Sequence, residues 1–351
     1  MAPLGSVLVE PIDAPAARPT RRKPTIRDVA AAAGVSRGTV SRVINGGHWV
    51  SPEARAKVEQ AIETTGYYAN THARSLATGR SDSVAFLLTE PQHLLFADPT
   101  FALLLRGAAE ALAARRKTLV LLVAGTPEER ENVSHFVGAG HVDGVLLISS
   151  HEKDPLLDGL IAAGVPTVAC GIPLGHQDDV ITVSIDEVGS AHTAARHLVG
   201  LGRERIAMIA GPEDTPGGRF RVVGFREELG DRFVEGLVER GDYSHESGAA
   251  AMAALLARDP AIDAVFAASD RMAAGAIATL RAAGKNVPQD VAVVGFDDSG
   301  LAAQVDPPLT TMHQPFDEIS AEMVRLLLEA IEGKEPASVT LPASLVTRAS
   351  A

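Results

Sequence analysis

Gly34-Val35-Ser36-Arg37-Gly38 spells the G-x-S-x-G of a hydrolase nucleophile elbow. That chemistry needs a strand before the serine and a helix after it, so that the hydroxyl stands out on a sharp turn. A helical pattern precedes Ser36, and the elbow reading fails. Asp297 and Asp298 could pass for paired catalytic carboxylates, since they end the strand-like run VAVVGFDD, where parallel α/β sheets bind ligands. A carboxylate that binds a ligand without catalysing a reaction explains the position equally well. His135, His141 and Asp143 lack the i, i+4 spacing of a helical metal pair, and no Cys or His cluster completes a site. Gly138, Gly140 and Gly144 do not form G-x-G-x-x-G, and they precede a strand rather than follow one. There is no Walker A run. Cys170, the one cysteine, sits in an apolar run and reads as a small core residue. It excludes an intramolecular disulfide framework. No metal and no cofactor are expected.

The basic residues around the rejected elbow form a more specific pattern. Thr25 can cap a helix with Asp28 as its capping-box partner, and Ile26, Val29, Ala30 and Ala33 then share one face. Gly34 breaks that helix, and Ser36 can cap a second one running through Val40 and Val43 to Asn45. Two short helices joined by a glycine-containing turn form a helix-turn-helix. The second helix exposes Arg37, Gly38, Thr39, Ser41 and Arg42. Arginine can pair with guanine through two bonds, while Ser and Thr reach phosphates or base edges. A third helix is capped by Ser51, starts at Pro52, turns Val58 and Ile62 inward and ends at Gly66. Charge agrees. From Arg18 to Arg80 the chain has 11 Lys and Arg against 4 Asp and Glu; the remainder has 21 against 40. A basic module on an acidic body predicts contact with a polyanion through one end.

At 351 residues the chain is long enough for two or three folding units. Residues 1–23 are rich in Pro and Ala, lack apolar periodicity and end in basic residues, and so read as a disordered arm. From about Ser83 strand-like runs alternate with amphipathic stretches: VAFLL at 84–88, TLVLLVAG at 118–125, GVLLISS at 144–150, PTVACG at 166–171, VITVSID at 180–186, RIAMIAG at 205–211, AVFAASD at 264–270 and VAVVGFDD at 291–298. Such alternation predicts parallel sheets covered by helices, and about 270 residues favour two α/β lobes. No run reaches the ~18 apolar residues of a membrane span, and the N-terminus lacks the apolar stretch of a signal peptide. A cytoplasmic protein is expected. Between head and body, Asn70 to Gly79 spans barely two helical turns with Ala73 and Leu76 on one face. That segment suits a linker that folds on DNA and presses an apolar wedge into the minor groove.

TIRDVAAAAGVSRGTVSRVINGGHWVSPEARAKVEQAIETTGYYAN, followed by Leu76, resembles the lactose-repressor/galactose-repressor family of bacterial transcription factors. The body continues the likeness at RFRVVGF, ASDRMAAGA, VGFDD, PPLTTMHQPF and LPASLVTR. The resemblance implies a helix-turn-helix head with a hinge helix, and an α/β body of two doubly wound lobes like periplasmic sugar-binding proteins. The implied divisions are an arm at 1–23, a DNA-binding domain at 24–68, a hinge at 69–80 and an effector-binding and dimerisation domain at 81–351. Lobe 1 would take 81–183 and 316–338, and lobe 2 would take 184–312 and 339–349. Carried over, the DNA contacts are Thr25, Arg37, Gly38, Thr39, Ser41, Arg42, Asn45, Tyr67, Asn70, Ala73 and Leu76. The implied effector contacts are Arg221, Tyr243, Ser269, Asp270, Asp297 and Phe316. Ser269 departs from the Asn usual before Asp270, and near Gly171 a carboxylate of the lactose repressor is missing.

These features predict a homodimeric transcription factor, a repressor of carbohydrate-utilisation genes. It would leave a palindromic double-stranded operator when a mono- or oligosaccharide binds between the lobes. The chain stops soon after its last strand-like segment without a leucine-heptad tail, hence a dimer rather than a tetramer. The alternatives are a purine-like effector, a phosphoprotein co-regulator, activation in place of repression, or an α/β enzyme fused to a DNA-binding head. The enzyme would need a nucleophile, metal or cofactor motif, and each one weighed above fails.

Overall fold

A computed structural model of the chain describes residues 24–44, 49–67 and 80–351. They divide into two compact units, one ending at Gly79 and one starting at Arg80. The arm at 1–23, the DNA-contact candidates Asn45, Asn70, Ala73 and Leu76, and the expected hinge apart from Arg80 lie outside the described residues.

The first unit is built from α1 (Ile26–Ala33), α2 (Arg37–Ile44) and α3 (Pro52–Thr65). Asp28 accepts from both the N–H and the hydroxyl of Thr25, each at 2.7 Å, which fixes the first turn of α1. Gly34 ends α1 in the left-handed region at φ 65°, where a side chain would be strained. Ser36 Oγ then accepts from the Thr39 N–H at 3.1 Å and starts α2. Val29, Val40 and Val58, one from each helix, are fully buried together. At about 1.5–3 kcal/mol per buried valine, these three supply much of the head's cohesion.

The second unit holds two six-stranded sheets. In chain order it runs β1 (Ser83–Leu88), α4 (Gln92–Ala97), α5 (Pro99–Ala114), β2 (Thr118–Val123), α6 (Pro127–Gly138), β3 (Gly144–Ile148), α7 (Pro155–Ala162), β4 (Thr167–Cys170) and β5 (Ile181–Ile185). Then come α8 (Glu187–Gly200), β6 (Ile206–Ala210), α9 (Pro216–Leu229), β7 (Val238–Arg240), α10 (His245–Arg258), β8 (Ala264–Ala267) and α11 (Asp270–Ala282). The chain closes with β9 (Ala292–Asp297), β10 (Thr310–His313), α12 (Phe316–Ile331), β11 (Val339–Leu341) and β12 (Ser344–Val346).

The first sheet has the order β11-β5-β4-β3-β1-β2 and is parallel throughout. The second has the order β12-β10-β9-β8-β6-β7, with β12 alone antiparallel. Strand order therefore reverses between β1 and β3 in one sheet and between β6 and β8 in the other. At such a switch point the loops leave in opposite directions and open a crevice at the carboxyl ends of the strands.

The chain passes between the sheets three times: after β5, between β10 and α12, and between β11 and β12. Two lobe boundaries differ from the sequence reading. Ile181–Ile185 stays whole in the first sheet rather than dividing after 183, because its residues pair with β4 and β11. Val339–Leu341 also belongs to the first sheet, so the last crossing falls at Pro342–Ala343. Short edge strands such as β7, β11 and β12 escape a pattern reading because three residues show no periodicity.

Helices α10 and α11 cross on two glycines. A Cβ on Gly248 would lie 2.3 Å from the Met272 carbonyl oxygen, and one on Gly275 would lie 2.0 Å from the His245 carbonyl oxygen. Neither backbone can yield without separating the helices. Gly275→Ala is expected to destabilise the body by about 1–3 kcal/mol, read by denaturant unfolding. A loss below about 0.5 kcal/mol would contradict this close approach.

Candidate functional sites

In the head, Val40 and Val43 turn α2 inward, and Arg37, Gly38 and Arg42 stand exposed on its outer side, with Thr39 and Ser41 half-buried beside them. Thr39 Oγ1 meets Ser36 Oγ at 2.9 Å, so that pair also shapes the turn. Thr25 lies at the start of α1 with its hydroxyl given to Asp28. Tyr67 follows α3 half-buried against the valine core, which gives it a packing role in addition to any contact. The arrangement offers two guanidiniums and small hydroxyls on one helix face, the chemistry for phosphates and guanine edges.

In the body, the two switch points face one cleft. Arg221, Tyr243, Ser269, Asp297 and Phe316 line it. Arg221 rises from α9 and is buried. Its Nε and Nη2 donate to Glu187 at 2.7 and 3.3 Å, its Nη1 donates to the Ala268 carbonyl at 2.6 Å, and its plane covers Phe296 at 3.5 Å. Burial works against its charge, but Glu187 outweighs it and the guanidinium stays protonated. The carboxylate that fixes Arg221 is thus Glu187, and Asp297 takes its hydrogen bond from Gln314 Nε2 at 2.8 Å.

Asp297 ends β9 at φ 116°, a strained conformation for an aspartate. Burial and then the nearby Asp270 push its carboxyl well above the usual carboxylate range. Tyr243 lies against Gly211, where a Cβ would come within 2.2 Å of the ring, and its hydroxyl pairs with Thr215 Oγ1 at 3.0 Å. Burial raises that phenol to about 12, so it remains a neutral donor and apolar wall.

Two sequence expectations change here. Asp270 does not line the cleft: its carboxylate accepts from the Thr311 hydroxyl at 2.6 Å and the Ser299 N–H at 3.2 Å, beneath the floor. It braces β10 and the loop after β9. Cys170, expected in the core, is half-buried on the cleft wall, and burial raises its thiol to about 12. That leaves it without thiolate reactivity near neutral pH.

Sequence reasoning missed Glu90, Ser150, Glu187, Thr215 and Gln314, all on the cleft. Each lies just past the carboxyl end of a parallel strand, and that position was the available signal. Ser150 is buried, and its hydroxyl has no hydrogen-bond partner among the described residues. A buried hydroxyl left so costs about 1–3 kcal/mol, a cost that a ligand can remove. No group of three possible metal ligands occurs among the described residues.

A helix-turn-helix head on a body with a ligand cleft between two doubly wound sheets defines a DNA-binding transcriptional regulator. Residues 25–70 match the family described as bacterial regulatory proteins, lacI family, and residues 195–351 match the periplasmic binding protein-like domain. The HTH-type transcriptional regulator CelR of Thermobifida fusca is 46% identical over 336 residues, 94% of this chain and 99% of CelR. The structure of a CelR–cellobiose complex shares 44% identity with a TM-score of 0.76, covering 94% of this chain and all of that one. The lac repressor dimer bound to operator and an anti-inducer shares 28% identity with a TM-score of 0.82, over 94% and 99%. The chain belongs to the lacI family of bacterial transcriptional regulators. These relatives are transcriptional regulators. No described helix is long and apolar enough to cross a membrane.

Proposed function

We propose that the protein is a repressor whose grip on a palindromic operator is released by a neutral gluco-oligosaccharide of the cellobiose type bound in the interlobe cleft. The observation that carries this is the balance of groups on the cleft. Glu90, Asp98, Glu187 and Asp297 are four carboxyl groups against the single guanidinium of Arg221. The one guanidinium on the lining is already held by Glu187, so a phosphorylated or carboxylated ligand meets no uncommitted cation among the lining residues, and the mixed donors and acceptors suit a ring of hydroxyls. Phe101, Tyr243 and Phe316 add aromatic surface on which a pyranose face can lie. The cellobiose complex of CelR, at 44% identity, supports the choice of sugar. Contacts are assigned to Arg221, Tyr243, Ser269, Asp297 and Phe316, with Glu90, Ser150 and Gln314 added.

On the DNA side the reading assigns Arg37, Gly38, Thr39, Ser41 and Arg42 to the operator, with Thr25 and Tyr67 at the ends of the head. Asn45, Asn70, Ala73 and Leu76 keep their proposed contacts. The domain limits 24–68, 69–80 and 81–351 stand with them, as does a cytoplasmic location. Association as a homodimer is supported by one edge of the body. Strand β2 pairs on one side only, its side chains are all apolar except Thr118, and Leu121 is 39% exposed, while α4 exposes Phe96 at 89%.

A thermal-shift and calorimetric screen tests the effector, with cellobiose and cellotriose set against ribose, glucose 6-phosphate and a purine base. At 100 times its dissociation constant, a ligand stabilises by about 2.7 kcal/mol. Cellobiose is expected to stabilise the protein and to displace it from operator. Response to the phosphate or the purine alone would overturn the reading.

A further inference from the structure

Three loops meet beside the cleft, at the switch points of the two sheets. Lobe 1 supplies Glu90, behind β1, and His151, behind β3; lobe 2 supplies Asp214, behind β6. His151 Nδ1 lies 2.8 Å from Asp214 Oδ2, and Nε2 lies 2.9 Å from Glu90 Oε1. Carboxylate oxygens only accept, so a ring that bonds to both donates from both nitrogens and is an imidazolium. The Glu152 N–H donates to the Asp214 carbonyl at 2.7 Å, and the Arg219 fork donates to the Glu152 carboxylate at 3.2 and 2.9 Å. Three links therefore join the lobes here. His176 and His192 are also held between two carboxylates, but each within one lobe: Asp158 and Asp179 for the first, Glu227 and Glu228 for the second.

We infer that Glu90, His151 and Asp214 form a proton-operated latch that holds the lobes closed over the effector, so that the closed body holds the imidazolium proton more tightly than the open one. This deepens the proposed reading by naming how its cleft is regulated. Glu90 has two duties, since it lines the cleft and also accepts from Ser149 Oγ at 2.6 Å. The latch thereby aims a cleft carboxylate at the ligand.

The groups facing His151 are Glu90 from its own lobe and Asp214 across the gap, with Glu152, Lys153 and Arg219 around Asp214. The Glu90 hydrogen bond, ahead of the opposing effect of burial, raises His151 from its ordinary 6.5 to about 9, and Asp214 adds to it. Burial works to raise Glu90, but His151 outweighs it and the carboxyl is lowered. Opening removes Asp214 but leaves Glu90 beside the ring, so the imidazole loses only the part of its rise that Asp214 supplies. The contribution to closure is therefore at full strength while the ring is charged in both forms, and it is lost as pH rises through about 9. Effector affinity follows the same course, because a ligand that prefers the closed body shares its proton.

The test measures the distance between the lobes without any ligand. Nitroxides at Glu131→Cys on α6 and Glu246→Cys on α10, both exposed, report on lobes 1 and 2 in a Cys170→Ala background. The labelled full-length chain is diluted with unlabelled chain. The parent is expected to give a short distance near pH 7 that lengthens toward pH 10. His151→Gln and Asp214→Ala are each expected to show the longer distance throughout, with no pH response. A parent-like distance in both variants, or a pH response that survives His151→Gln, would overturn the latch. In parallel, the His151 ring signal, identified by its loss in His151→Gln, is expected to titrate near about 9; titration near 6.5 overturns it as well. Cellobiose titrations across the same pH range form a separate arm. A parent that ignores cellobiose refutes the sugar reading and leaves the distance measurement to decide the latch.

Discussion

Arg221→Ala is expected to leave operator binding intact and to abolish release by sugar. The arginine is buried at the centre of the cleft, with its fork on Glu187 and its plane on Phe296. Its loss strands the Glu187 carboxylate, a change that costs about 3–5 kcal/mol when a buried pair is broken from one side. Denaturant unfolding should register that loss. Stability and signalling are separated by the double variant Arg221→Leu with Glu187→Leu, which removes both charges. It is expected to recover part of the lost stability, because no charge is left buried and alone. It should still fail to respond to sugar, because the ligand's hydroxyls have lost a charged donor. Arg221→Lys would keep the charge without the fork, and is expected to respond weakly if at all. Operator binding titrated with cellobiose decides the matter. Release of Arg221→Ala at the parent's sugar concentration would remove Arg221 from the effector site.

The second large effect is on DNA. Arg37→Ala and Arg42→Ala should each weaken binding to a selected palindrome by about 1–3 kcal/mol where the guanidinium pairs with guanine through two bonds. If a guanidinium instead meets a phosphate, the loss should be uniform across sequences, and the salt slope should fall by about one. Binding isotherms at several salt concentrations distinguish the two kinds of contact. Neither substitution touches the valine core of the head, since Val29, Val40 and Val58 pack on the other side of the helices. Melting of the head should therefore be unchanged. Parent-like affinity and salt slope in both variants would remove α2 from the operator.

The two effects belong to separate units. The head is small and presents its arginines from the outside of a short helix. The body buries Arg221, Asp270 and Asp297, and charged contacts at His151 and Asp214 join its lobes. An effector can shift operator affinity only by the difference between its affinities for two arrangements of the body. In the proposed reading Arg221 would set how tightly the ligand is held, and the interlobe contacts at His151 and Asp214 would set what closure costs.

Local physics made the head legible before any coordinates. Thr25, Gly34, Ser36, Ser51 and Gly66 mark helix ends through their own capping and backbone preferences, and these act within four residues. The eight long strand-like runs of the body were legible for a similar reason, since buried parallel strands read as unbroken apolar segments. The type of protein followed from those two patterns, the charge division and the family motifs.

Tertiary structure alone decided the partners of the charged groups. That Arg221 answers to Glu187 and Asp297 to Gln314 depends on which strand ends converge across 34 and 17 residues of sequence. Asp270 reads as a cleft residue in the chain, yet it turns to Thr311, 41 residues away, because β10 runs beside β9 beneath it. His151 and Asp214 are 63 residues apart and unremarkable singly. They meet because each sheet reverses its strand order beside the other, and no local preference of the chain encodes that reversal.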